Sequence, residues 1–241
     1  EMDDRSPYLW KTSDYGATWD FIVNGIGTDD FTRVIRQDPK NPNILYSGTE
    51  TGVYISFDQG GIWHSLSLNL PTVPVTGLIV EERDLVISTH GRSFWILDDI
   101  ETLRQINPSL ESSRNHLFKP ADAIRRTVPA IIDYQLESEN TQVNLEILDS
   151  EGRHVRTLVK KDNYTPGFYR EEWDLRYTGA ITFPGIVLEG GNPAVGPWAP
   201  PGTFQARLTI GDQQLTQLFQ VQKDPRLTNI SEADLLLQHN L

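Results

Sequence analysis

Residues 12–19 read TSDYGATW and residues 56–63 read SFDQGGIW. Both fit one template: Ser or Thr, any residue, Asp, any residue, Gly, two further residues, Trp. The copies lie 44 residues apart. A short template that recurs at a fixed spacing restricts the chain to a repeat fold, because each copy must occupy the same local structure. Its chemistry is that of a turn between two strands. Asp14 and Asp58 carry carboxylates that can accept backbone N–H groups across such a turn. Gly16 and Gly60 take positive φ at no steric cost. Thr12 and Ser56 add a second tie, and Trp19 and Trp63 are expected to plug the hydrophobic interior of the repeat unit. One carboxylate per copy is too few for calcium, which takes about six or more oxygens, so no metal is expected.

Short β-rich runs surround the turns. NILYSG (43–48), GVYIS (52–56), GLIVEE (77–82), DLVIST (84–89) and SFWILD (93–98) are bounded by Gly, Asn, Asp and Pro. LYSGTETGVYISFD (45–58) aligns over LVISTHGRSFWILDD (85–99), about 40 residues on. Four short strands per unit at that period describe the blade of a β-propeller. The expected strands are 32–36, 44–48, 53–56 and 63–66, then 75–80, 85–89 and 94–97. Residues 1–107 thus read as about two and a half blades. An open ring exposes strand edges. The stretch is therefore expected to be the C-terminal part of a larger ring, its remaining blades supplied in cis or by a companion chain.

Residues 108–129 read as a polar linker. Beyond it, AIIDYQLE, QVNLEILD, HVRTLV, FYREEWDL, GTFQARLTI and QLTQLFQVQ read as strands, with DSEG and IGDQQ as hairpin turns. Alternation at Val143, Leu145 and Ile147, and at Phe204, Ala206, Leu208 and Ile210, turns one face inward. Residues 130–227 are expected to form an antiparallel immunoglobulin-like sandwich, with the Gly- and Pro-rich stretch 176–201 as a surface insertion. Residues 228–241 begin a helix, capped by Ser231 with Asp234 three residues later. The fold class is all-β: a partial propeller followed by a sandwich.

Composition excludes several functions. A net charge of −12 is wrong for nucleic acid, which needs a basic face to release counterions. With no cysteine there is no thiolate ligand or nucleophile. No apolar run approaches the ~20 residues of a membrane-spanning helix. Five scattered histidines lack metal-ligand spacing, and no Gly-rich phosphate loop is present, so no cofactor is expected.

The two boxes resemble the Asp-box, or bacterial neuraminidase repeat, of sialidases, tandem-propeller xyloglucanases and sortilin-type propellers. STHGRSFWILDDI (88–100) resembles the last-blade signature of exported sortilin-like, glycosyl-hydrolase-like repeat proteins. VNLEILDSEGRHVRTL, WDLRYTGA and GPWAPPGTFQARLTI resemble the immunoglobulin-like domain that ends that group, which is similar to the domain of flagellar-hook capping proteins. The resemblance implies boxes at the blade periphery with no catalytic part, and a location outside the cytoplasm. The Cys-rich module of true sortilins is absent.

A non-catalytic binding or scaffolding role is the expectation, with a protein, peptide or glycan as ligand. The alternative is a sialidase- or xyloglucanase-like glycoside hydrolase whose catalytic residues lie mostly outside this stretch. Such hydrolysis needs two opposed carboxylates. In Asp29-Asp30, Glu81-Glu82 and Asp98-Asp99 the partners are adjacent, and adjacent strand residues face opposite ways. Arg33, Arg36 and Arg92 show no spacing that marks a sialate-binding triad. The most pointed polar stretch is His90-Gly91-Arg92, where a turn held by Gly91 can present His90 and Arg92 to a ligand.

Overall fold

A computed structural model describes residues 4–106, 115–137, 141–181 and 192–239. Among them nineteen short strands and two helices are found, so the chain is all-β in class. No helix is long and apolar enough to cross a membrane. The chain divides into two compact units, Glu1–Asn107 and Pro108–Leu241.

The first unit opens with a hairpin of β1 (Trp10–Lys11) and β2 (Asp20–Phe21), joined through the first box. Two antiparallel meanders follow. The first runs in order through β3 (Thr32–Gln37), β4 (Leu45–Thr49), β5 (Val53–Ser56) and β6 (His64–Ser65). The second uses β7 (Val75–Val80), β8 (Leu85–Thr89) and β9 (Phe94–Leu97). These strands match the sequence expectation to within a residue or two, except that the last strand of the first meander shrinks from 63–66 to two residues. The Trp63 N–H turns away from β5 and donates to Asn24 O at 2.8 Å.

Strand β4 is buried along its whole length, and its alternation serves two cores. Tyr46 packs with Ile44, Val53, Ile55, Val75, Leu78, Leu85, Ile87 and Ile100. Leu45 points the other way, into a smaller cluster with Leu9, Ile26 and Trp63. After β9 comes a short helix, α1 (Glu101–Gln105). Its Arg104 reaches back across 66 residues to the buried Asp38, with Nε 3.1 and 2.9 Å from the two carboxylate oxygens. Asp38 Oδ1 also accepts from the Lys40 and Asn41 N–H groups. Arg104 Nη1 donates to Glu82 O and to Glu101 Oε1, both at 2.6 Å. A buried charge held this fully is strongly destabilising to break, on the order of 3–5 kcal/mol.

In the second unit, β10 (His116–Leu117), β12 (Ala130–Leu136) and β15 (Gly167–Trp173) form a three-stranded antiparallel sheet. A five-stranded sheet has the order β11 (Ala123–Ile124), β19 (Gln213–Gln222), β18 (Gly202–Ile210), β13 (Thr141–Asp149), β14 (His154–Tyr164). The expected inward alternation is realised. Val143, Leu145 and Ile147 join Phe204, Ala206, Leu208 and Ile210 in one core with Ile132, Tyr134 and Trp173.

Three details differ from the sequence reading. The described part of the 108–129 linker, from residue 115, supplies β10 and β11, because Leu117, Phe118 and Ala123 are buried. Strand β11 runs parallel to β19, whereas the other pairs of these sheets are antiparallel. The stretch 176–201 is not wholly a loop: β16 (Arg176–Thr178) pairs with β17 (Val195–Trp198). A terminal helix, α2 (Glu232–His239), follows Ser231. The Ser231 Oγ accepts the Asp234 N–H at 3.1 Å, and Asp234 Oδ2 accepts the Ser231 N–H at 2.9 Å, a reciprocal cap.

Candidate functional site

The two boxes fold into the same turn. Thr18 N–H donates to Asp14 Oδ1 at 2.8 Å, and Ile62 N–H donates to Asp58 Oδ1 at 2.9 Å. Gly16 N–H donates to Thr12 Oγ1 at 2.8 Å, and Gly60 N–H to Ser56 Oγ at 2.9 Å. Gly16 and Gly60 have φ of 93° and 94°, each after a non-glycine in the left-handed region, Tyr15 at 58° and Gln59 at 60°. The two turns also touch, Lys11 Nζ donating to Gln59 Oε1 at 2.7 Å. Bonds from the Thr18 backbone and hydroxyl pull Asp14 down to about 2. Burial alone would raise Asp58, but the Ile62 N–H, the Ser56 hydroxyl and the Gly61 N–H outweigh it and hold the carboxyl below its usual value. A carboxylate so satisfied is a fixed turn anchor and a poor proton shuttle.

The tryptophans correct the expectation of two equivalent plugs. Trp63 is 2% exposed, and its Nε1 donates to Ile22 O at 2.7 Å. Trp19 is 55% exposed and lies against Gly16. The two-stranded β1–β2 hairpin has no further strand among the described residues to enclose it.

His90 and Arg92 sit at the other end of the sheets. Thr51 O accepts from Val73 N–H, and Pro74 O accepts from His90 N–H at 2.9 Å, which places the β4–β5 and β8–β9 turns on one rim. The boxes lie where β1 and β5 end, beside the β3–β4 loop, as the Gln59 N–H bond to Asn43 O at 2.8 Å shows. Within the 89–93 turn, Thr89 Oγ1 donates to Ser93 O at 2.8 Å and accepts from Arg92 N–H, while Trp95 Nε1 donates to Arg92 O. Both His90 and Arg92 are exposed. The Thr89 and Trp95 side chains fix the turn through its backbone groups and leave His90 and Arg92 outward.

Sequence reading missed the neighbours on this rim. Asp30 is buried, and its carboxylate accepts from Thr49 Oγ1 at 3.0 Å, Thr51 Oγ1 at 2.6 Å and Thr51 N–H at 2.9 Å. Burial first, then the Asp30 charge, raises the Tyr54 hydroxyl. Arg33 pairs with Glu50 through Nε at 2.7 Å and lies over the Phe31 ring. No local motif signals the Asp30 and Arg33–Glu50 bonds, because they join residues about twenty positions apart. Of the acidic pairs, Glu81 and Glu82 lie in the exposed β7–β8 turn, and Asp99 is buried against Arg83 at 3.0 Å. Arg33 is engaged by Glu50 and Arg36 by Ile35 O, while Arg92 stands exposed on the 89–93 turn. Among the described residues no group of three metal-ligating side chains occurs.

No protein-family model matches the chain, and no curated protein matches it. Two crystal structures of the extracellular domain of the BT4673 system from B. thetaiotaomicron align with it. One, described as a one-component system, is 10% identical at a TM-score of 0.32, over 90% of this chain and 28% of its own. The other, described as a hybrid two-component system, is 10% identical at 0.33, over 91% and 29%. The chain therefore spans less than a third of those structures, and likeness this low carries no fold or function across.

Proposed function

We propose that the chain is the non-catalytic binding or scaffolding part of a larger exported protein of the Asp-box propeller group. In this reading the two meanders of the first unit are successive blades. The second unit is an immunoglobulin-like domain that serves as spacer or docking module. The rim carrying His90 and Arg92 faces a protein, peptide or glycan.

One observation carries the reading: the two ends of the sheets have opposite chemistry. At the box end the carboxylates are consumed by their own turns. At the other end an imidazole and a guanidinium stand exposed on a turn that the Thr89 hydroxyl and the Trp95 indole already fix. Fixed loops with outward polar side chains are the usual place for recognition on a β scaffold.

The test uses the full-length protein on glycan and peptide arrays. Replacing His90 and Arg92 with Ala should weaken the bound ligand about tenfold, roughly 1.4 kcal/mol, with unfolding unchanged. Turnover of a glycoside, abolished by changing one carboxylate, would overturn the reading in favour of hydrolysis. Export is checked separately, by fractionating the source cells.

A further inference from the structure

The second unit has eight described arginines, and five of them face a carboxylate. Arg153 pairs with Asp149, Arg156 with Asp174, Arg170 with Asp133, Arg207 with Glu146 and Arg226 with Asp224. The three without one, Arg125, Arg126 and Arg176, gather at Trp198 and Ala199. Arg176 lies with its Cζ 3.8 Å from the Trp198 ring centroid and donates from Nη1 to Gly196 O at 2.9 Å. Arg126 lies over the same ring at 5.7 Å. Arg125 is 5% exposed, and its Nε donates to Ala199 O at 2.9 Å. Among the described residues neither Nη group of Arg125 has an acceptor.

We propose that Arg125, Arg126 and Arg176 form a binding site for an oxyanion, a carboxylate, sulfate or phosphate group of a ligand. A buried guanidinium that lacks a counter-ion is unfavourable, and proteins rarely leave one so without use. With the exposed Arg126 and the half-buried Arg176 beside it, in a chain of net charge −12, it concentrates positive potential where the rest of the molecule repels anions. Burial, with the charges of Arg126 and Arg176, already lowers the Arg125 pKa, and an anion relieves that stress.

The site is also built in advance. Arg125 N–H is tied to Gln222 O at 2.9 Å, and the Ile124–Val128 turn closes on itself through both backbone bonds. Arg126 takes a φ of 70°, a conformation unfavourable for a long side chain and kept here by that turn. Trp198 holds two guanidinium groups against its ring by cation–π attraction, which restricts their rotamers before any ligand arrives. Guanidinium forks suit the oxygens of carboxylate and tetrahedral oxyanions.

The experiment titrates the whole chain with inorganic phosphate at constant ionic strength, read by calorimetry, with sulfate and acetate in parallel. Saturable one-to-one binding of at least one of these anions is expected. R126Q, which alters an exposed side chain and should fold normally, is expected to weaken it about tenfold, as is R176Q. R226Q, which removes a cation that already has its carboxylate, should leave it unchanged. Three results would overturn the site: no saturable binding of any of the three anions, wild-type affinity in R126Q, or an equal loss in R226Q.

Discussion

The two box turns make one structure in two surroundings. In residues 12–18 and 56–62 the two backbone N–H bonds to the hydroxyl and the carboxylate agree to within about a tenth of an ångström, and the φ angles of the two left-handed residues agree to within about two degrees. Yet Trp63 is sealed into a cluster with Leu9, Ile26 and Leu45, whereas Trp19 stands half in solvent. The turn therefore does not need its tryptophan buried in order to form. Side-chain and backbone hydrogen bonds inside eight residues are sufficient. What the tryptophan adds depends on what packs against it.

The sharpest way to break the equivalence is to remove each ring. W63A should cost about 3–5 kcal/mol, and W19A should stay within about 0.5 kcal/mol, in chemical unfolding of the chain. Equal losses would mean that Trp19 is enclosed in solution. The next contrast is between the glycines. Both substitutions meet positive φ, but a Cβ on Gly60 would lie 2.6 Å from Ile22 Cδ1, whereas one on Gly16 meets the Trp19 ring at 3.7 Å. G60A should cost about 2 kcal/mol and G16A about 1 kcal/mol by the same measurement.

A smaller difference is expected at the hydroxyls. Ser56 is fully buried, so S56A leaves the Gly60 N–H unsatisfied and should cost about 1–2 kcal/mol. At Thr12 water can replace the lost partner, and T12A should cost about 0.5 kcal/mol.

The last contrast is in protonation. Both box carboxyls are depressed, so each turn is stabilised above the unfolded carboxyl value, and that support is lost as pH falls through the folded one. For Asp14 the loss runs from the unfolded value of 3.8 down to about 2. A carboxyl-carbon NMR titration should find Asp14 ionised until near pH 2, with Asp58 also below its ordinary value. A normal midpoint at either would show that its turn opens in solution.

The same contrast explains what could be read in advance. The turn ties were legible because donor and acceptor lie within four residues. The strands were legible because period-2 alternation, as in Val143, Leu145 and Ile147, needs no partner to be seen. The unequal fates of Trp19 and Trp63 were not, since Ile22 and Asn24 decide them from about forty residues away. Arg104 and Asp38 lie 66 residues apart. Arg125 and Ala199 lie 74 apart, and nothing in RR or in GPW announces that they meet.

The Arg104–Asp38 pair also gives the first unit a mechanical direction. Tension applied at Ile106 travels back along the chain and meets Arg104 before it reaches β9. There the load divides: the guanidinium passes it sideways into Asp38, through that residue's loop into β3 and β4, and through the Glu82 carbonyl into the β7–β8 turn. The last strand of the unit is shielded until this pair gives way. The short helix acts as a strain relief, and a pull from this end has to break a buried ion pair before it can unzip a sheet.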